Sequence, residues 1–95
     1  MRLRDRVEVY RDSDTRVMSV KAEVSYRKWD RFSEGGNLVV GVISIDELVC
    51  ILPAVLPESD IGAVVWRGKY YNRIGEVKVY RRNGKDHHYE IRLGQ

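Results

Sequence analysis

The dipeptide Asn83-Gly84 sits between two stretches with strand character, Val77-Lys78-Val79-Tyr80 before it and His87-His88-Tyr89-Glu90-Ile91-Arg92-Leu93 after it. A type I′ turn needs positive φ at both central positions, and Asn-Gly accepts that conformation at little steric cost. A hairpin with its turn at Arg82-Asn83-Gly84-Lys85 is therefore predicted. A second hairpin precedes it: Ala63-Val64-Val65-Trp66, then Arg67-Gly68, then Lys69-Tyr70-Tyr71-Asn72-Arg73-Ile74. There Gly68 can supply the positive φ. Two tight hairpins in succession over Ile61 to Leu93 commit the last third of the chain to antiparallel β-structure.

The opening third reads the same way. Asp5 to Arg11 sets Val7 and Val9 against Glu8 and Tyr10, a half-buried strand. Asp12-Ser13-Asp14-Thr15 is a turn, since these side chains bond to nearby backbone. From Arg16 to Arg27, Met18, Val20, Ala22, Val24 and Tyr26 share one face, while Ser19, Lys21, Glu23 and Ser25 take the other. Period two fits this run and a helical period does not. The first two strands form an antiparallel hairpin.

The rhythm breaks from Lys28 to Gly41, where Trp29, Asp30, Arg31, Phe32, Ser33, Glu34, Gly35, Gly36 and Asn37 mix aromatics, charges and a glycine pair. The expectation is a long loop after the second strand. Either Trp29 or Phe32 caps an open end of the fold, or the loop projects and offers its aromatics to a partner. Further on, Ser44-Ile45-Asp46-Glu47 fits a helix capping box, but a helix begun there meets Pro53 after barely two turns. Leu48-Val49-Cys50-Ile51-Leu52 is a short apolar run ending at Pro, which favours a buried strand. Pro53 and Pro57 bracket the connection into the C-terminal hairpins.

Six or so strands spaced by about ten residues, with no firm helix, predict an all-β fold. On 95 residues, one domain's worth, a small antiparallel β-barrel is favoured, because closure removes the exposed edges of a short open sheet. Its core is expected to draw on Val7, Val9, Val20, Ala22, Val24, Val49, Ile51, Val65, Tyr71, Val77, Val79, Ile91 and Leu93. Hydrophobic residues at 43% and charged residues at 33% place the chain outside the disordered class. No apolar run approaches the ~18 residues of a membrane span. Met1-Arg2-Leu3-Arg4-Asp5-Arg6 is charged with no apolar stretch behind it, so no signal peptide is expected. The single cysteine, Cys50, excludes an internal disulfide.

Catalytic chemistry has little to stand on. His87 and His88 are adjacent on a strand, so alternation points them to opposite faces, the wrong geometry for two ligands of one metal. His88 and Glu90 make a same-face pair with no third ligand. Cys50 lies in an apolar run that favours the inert thiol. No glycine-rich phosphate loop follows a strand and opens a helix. The reading is of a non-enzyme with no cofactor and no metal. The net charge of +3 comes from 17 basic and 14 acidic residues, mixed along the chain. The one dense basic cluster is Lys78, Arg81, Arg82 and Lys85, which reads either as a solvated turn or as a contact for DNA or an acidic partner.

One pattern carries a resemblance. Trp66-Arg67-Gly68 and Tyr71, followed at a distance by Asp86-His87-His88-Tyr89-Glu90, together with the opening Leu3-Arg4-Asp5-Arg6-Val7, resemble the head-to-tail stopper proteins of long-tailed phages, closest to those of phages infecting actinobacteria. The resemblance covers Ile61 to Leu93 best, and matches Lys28 to Pro57 by position only. It implies a small β-barrel that assembles as a ring in the phage neck, a hexamer ahead of a dodecamer. It further implies an adaptor protein on the portal side, a tail-terminator or tail-tube protein on the other, and packaged double-stranded DNA in the channel. The chain would then be a virion protein, assembled in the host cytoplasm with no membrane contact. It would close the portal channel, retain the DNA and receive the tail. By position the channel loop is Arg27 to Gly41, with Trp29, Asp30, Arg31, Phe32, Glu34, Gly35, Gly36 and Asn37 as its contact residues. The alternative is a small β-barrel that binds nucleic acid by stacking bases on Trp29, Tyr70, Tyr71 and Tyr80.

Overall fold

The structure, a computed structural model, describes residues 3–35 and 38–94; for residues 28–35 and 38–46 it describes the backbone alone. Six strands follow one another: β1 (Asp5–Asp12), β2 (Thr15–Gly35), β3 (Leu38–Pro53), β4 (Ala63–Trp66), β5 (Lys69–Arg82) and β6 (Lys85–Gly94), with one 3₁₀ turn at Glu58–Asp60. All pairings are antiparallel, and the sheet closes on itself in the order β1-β2-β3-β6-β5-β4.

Turn chemistry sets the registers. Asn83 and Gly84 take φ of 53° and 76°, and Arg82 pairs with Lys85 across them, as a type I′ turn requires. At the other hairpin both Arg67 (φ 51°) and Gly68 (φ 77°) are left-handed, and Trp66 pairs with Lys69. Arg67 is an unusual residue for that conformation, and its guanidinium lies 4.6 Å over the Trp66 ring. At the first turn the Asp14 N–H donates to the Asp12 carboxylate at 2.9 Å, which holds that carboxyl below its ordinary value. The strands expected at Lys69–Ile74 and Val77–Tyr80 are one bent strand, β5, whose register against β6 shifts between Ile74 and Lys78.

Inward residues alternate as period two demands. Val7, Val9, Val20, Ala22, Val24, Tyr71, Ile91 and Leu93 enter the core as expected, joined by Ile61, Val64, Trp66 and Tyr89. On β3 and β4 the expected phase is reversed. Leu48, Cys50 and Leu52 join the main cluster rather than Ile51, and Val64 and Trp66 do so rather than Val65; Val49 is fully buried as expected, but outside that cluster. The β3 run is apolar in both phases, so its pattern cannot select a face. The pairing of Leu48 with Leu93, Cys50 with Ile91 and Leu52 with Tyr89 selects it instead. Val77 and Val79 are half-buried against the cluster. Burial pushes the Cys50 thiol up to about 12, with the Asp5 carboxylate a smaller cause.

The segment expected as an irregular loop is strand-paired. β2 continues to Gly35 and β3 begins at Leu38, with pairs running from Arg27–Glu47 out to Gly35–Leu38 and one register shift after Ser33. The backbone at Ser44–Glu47 is extended rather than helical, and there Ser44 pairs with Asp30 and Glu47 with Arg27. Pairing across β2 satisfies every second backbone group of the arm, whereas a two-turn helix stopped by proline is marginal. Neither flanking strand accompanies this arm, since β1 ends its pairing at Ala22 and β6 at Leu48. Residues 27–35 and 38–47 are therefore a two-stranded ribbon about 30 Å long at ~3.3 Å per residue. The radius of gyration, 15.8 Å, exceeds the ~12 Å of a compact chain of this length.

Strand directions give the barrel two ends. β2, β4 and β6 run toward the ribbon, so the Arg67-Gly68 turn lies at the ribbon end. The Ser13-Asp14 and Asn83-Gly84 turns lie at the opposite end, with the 54–62 connection. That connection is stapled by the Tyr89 hydroxyl, which donates to the Leu56 carbonyl at 2.8 Å, and by the Arg11–Asp60 ion pair at 2.8 Å.

Closure depends on a close backbone approach. The Gly62 N–H donates to the Tyr10 carbonyl at 2.8 Å, and a Cβ on Gly62 would lie 2.1 Å from the Arg11 carbonyl oxygen. Backbone cannot swing aside as a side chain can. Gly62→Ala should lower stability by about 2–3 kcal/mol in urea unfolding, as for other overpacked sites. A loss below about 0.5 kcal/mol, the range of ordinary surface changes, would show that closure tolerates the separation.

Candidate functional site

Two regions gather side chains beyond what the core needs: the base of the ribbon and the tip of the β5–β6 hairpin. At the base, the innermost register pair of the ribbon is Arg27 with Glu47. Each is held by a charge on β6: Arg27 bonds to Glu90, and Arg92 lies 3.4 Å from Glu47. Glu90 and Arg92 are two apart on a strand, so they share the outer face. Glu90 also accepts a hydrogen bond from the Tyr80 hydroxyl at 3.0 Å. With Glu76 and Lys78, these residues line a groove in which positive and negative groups balance. Partial burial pushes the Glu90 carboxyl up, but the bonds from Arg27 and Tyr80 outweigh it and hold the group below its ordinary value.

The predicted contact residues Trp29, Asp30, Arg31, Phe32, Glu34 and Gly35 all lie on the outer arm of β2. The register sets Trp29 opposite Ile45, Arg31 opposite Ile43 and Phe32 opposite Val42. Gly36 and Asn37 lie outside the described residues, as do the side chains of Trp29 and Phe32 and hence the expectation that one of them caps the barrel.

The basic cluster is assembled at the opposite end. Arg82 and Lys85 flank the turn, exposed. Arg81 is paired with Asp86 at 3.0 Å. Lys78 sits further up β5 with its ammonium 5.3 Å from the Tyr80 ring centroid, and the Tyr80 hydroxyl holds its pKa above the ordinary value. The aromatic platform is not assembled on one face. Tyr70 is exposed and stands edge-on to Tyr10, whereas Tyr71 is buried against Trp66.

The expectation that His87 and His88 diverge is overturned. Arg81 pairs with Asp86 but Tyr80 with His88, so His87 is the extra residue of a β-bulge. Two residues opposing one come to the same side of the sheet. The two Nδ1 atoms are 2.8 Å apart, one donating to the other, and the His88 ring stacks on Tyr80 at 4.6 Å with planes 9° apart. Among the described residues no group of three or more histidine, cysteine, aspartate or glutamate side chains comes together as a metal site. Sequence reading missed this pairing because nothing in Asp86-His87-His88 marks a bulge. It also missed the Arg27–Glu90 and Glu47–Arg92 links, whose signal was the alternating charge of Glu90 and Arg92.

Comparison with known proteins finds no family model that matches the chain, and no curated protein or solved structure similar to it.

These charges predict the response to acid. Burial foremost, then the neighbouring His87, lowers the His88 pKa below its ordinary 6.5. The unfolded chain therefore binds that proton first, and stability falls as pH drops below 6.5. Glu90 adds stability that is present above 4.5 and lost as pH falls through its lower folded value. Urea midpoints between pH 7.5 and 3.5 should show both losses, with His88→Gln removing the first and Glu90→Gln the second. A His88→Gln profile that superposes on the parent between pH 7 and 5 would contradict the assignment.

Proposed function

We propose that this chain is a head-to-tail stopper of a long-tailed phage: a ring-forming protein of the virion neck that closes the portal channel, retains packaged DNA and receives the tail. The observation that carries the reading is the ribbon, which leaves a closed barrel and extends about 30 Å with no third strand beside it. A two-stranded ribbon is marginal in water, and its outer edges carry unpaired backbone groups. Its β3 arm, Leu38-Val39-Val40-Gly41-Val42-Ile43-Ser44-Ile45, is aliphatic in both strand phases, so neither face is suited to solvent. An arm of this kind is suited to an assembly in which neighbouring copies and channel contents surround it. The residues that carry the resemblance support the same reading, since Trp66-Arg67-Gly68 forms a tight turn at the ribbon end and Tyr71 packs on Trp66.

In this reading the barrel supplies the ring wall and the ribbon fills the channel, so the protein acts by steric closure and needs no chemistry. The adaptor on the portal side and the tail-terminator or tail-tube protein on the other supply the flanking surfaces. Ring contacts repeated around an axis gain strength from multivalency. The isolated chain should therefore scatter light mainly as a monomer at micromolar concentration and form rings with its neck partners. A stable closed dimer, which cannot extend into a ring, would contradict this.

The ribbon itself is testable by removal. Replacing residues 28–46 by Asn-Gly joins the directly paired Arg27 and Glu47 through a two-residue turn. The barrel should fold with a loss of no more than about 1–2 kcal/mol, and heads closed with this variant should leak DNA. An unfolded barrel, or heads that keep their DNA, would contradict the assignment.

A further inference from the structure

The β5–β6 hairpin tip carries a recess of about 290 Å³ lined by Tyr80, Arg81, Arg82, His87 and His88. No carboxylate lines it. The nearby acids are already engaged: Asp86 by Arg81, and Glu90 by Arg27 and Tyr80. From the end of β3, the strand packed beside His88, and the residue after it, the facing residues are the uncharged Pro53 and Ala54, and the Ala54 N–H donates to the His87 carbonyl at 3.3 Å. The bulge gathers both imidazoles at one rim, and the stack on Tyr80 fixes one of them in place.

We propose that this hairpin tip binds the phosphodiester backbone of duplex nucleic acid, with His87 and His88 adding charge to the site when protonated. The inference rests on the hairpin alone and holds whether or not the chain works in a phage neck. Three features select the ligand. The exposed guanidinium of Arg82 offers a fork-shaped donor that matches phosphate oxygens, beside Arg81, whose Nε is already bonded to Asp86. The positive groups follow one another along the hairpin, from Lys85 and Arg82 at the turn through the histidine pair to Lys78, which suits a polyanion with a charge every ~3.4 Å per strand. A two-stranded β-tip also has the width that a duplex major groove admits.

Protonation links the site to pH. Histidine is the side chain whose charge responds to mild acid, and the bulge brings two imidazoles to this recess. Each imidazolium that meets a phosphate adds to the salt dependence of binding.

The test is fluorescence anisotropy of a labelled 20-base-pair duplex with the full chain, at several salt concentrations and at pH 7.5 and 5.5. Affinity should rise on acidification, and the slope of log K against log salt should steepen by about one to two. Arg82→Ala should weaken binding at both pH values. The His87→Gln/His88→Gln double variant should lose the gain on acidification. Histidine ring titration of the unmodified chain by NMR gives an independent readout, since both rings should titrate at higher pH when duplex is bound. Unchanged ring titration, or a pH gain that survives in the double variant, would overturn the proposal. So would equal binding of polyglutamate, or ring shifts with inorganic phosphate alone and none with duplex.

Discussion

Everything in this molecule depends on the seam where β4 joins β1. Only Glu8–Val65, Val9–Val64 and Tyr10–Ala63 close the sheet. β4 is four residues long, yet Ala63, Val64 and Trp66 are buried, and Gly62 lets the chain press against β1 before the strand begins. Without that seam β1 and β4 would be exposed edges, and the inner residues Val7, Val9, Val64 and Trp66 would face water. Closure also frees β2 and β3 from supporting the far wall. Both contribute core residues, then run on past the barrel, where neither β1 nor β6 pairs with them.

The sequence disclosed the parts governed by local chemistry. Asn83-Gly84, Arg67-Gly68 and Asp12-Ser13-Asp14 each specify a turn through backbone conformation or a side-chain bond, and the structure has all of them. The alternation of β1 and β2 was legible because its polar face is polar. Two kinds of information were not local. The phase of β3 could not be read from an all-apolar run and is fixed by β6, far along the chain. The bulge at His87 arises where β5 and β6 fall out of step between the turn and the bend, and no residue there announces it. The ribbon was hidden for a third reason. Its β2 arm mixes charges with aromatics at no strand period, so its extended state comes from its partner strand rather than from its own pattern.

The charges divide in a way that bears on function. At the ribbon base, Arg27, Glu47, Glu90 and Arg92 interlock, so each cation has an anion and the groove carries no strong field. At the hairpin tip, positive groups outnumber the acids beside them, and those acids are already paired. The first arrangement suits holding one element against another; the second suits meeting a charged partner. Partly exposed ion pairs add only modestly to stability. The links at the ribbon base therefore matter more for the direction in which the ribbon leaves than for the strength of the barrel.

The barrel closes on itself, whereas the ribbon is left with two strands and no third beside it. Amide hydrogen exchange on the isolated chain and on the ring we propose tests this contrast most directly. In the isolated chain, amides of β1, β4 and the inner part of β6 should exchange only with global unfolding. Those of residues 27–35 and 38–47 should exchange orders of magnitude faster, then slow sharply on assembly. Ribbon amides as protected as the barrel in the monomer, or unprotected in the ring, would contradict the account.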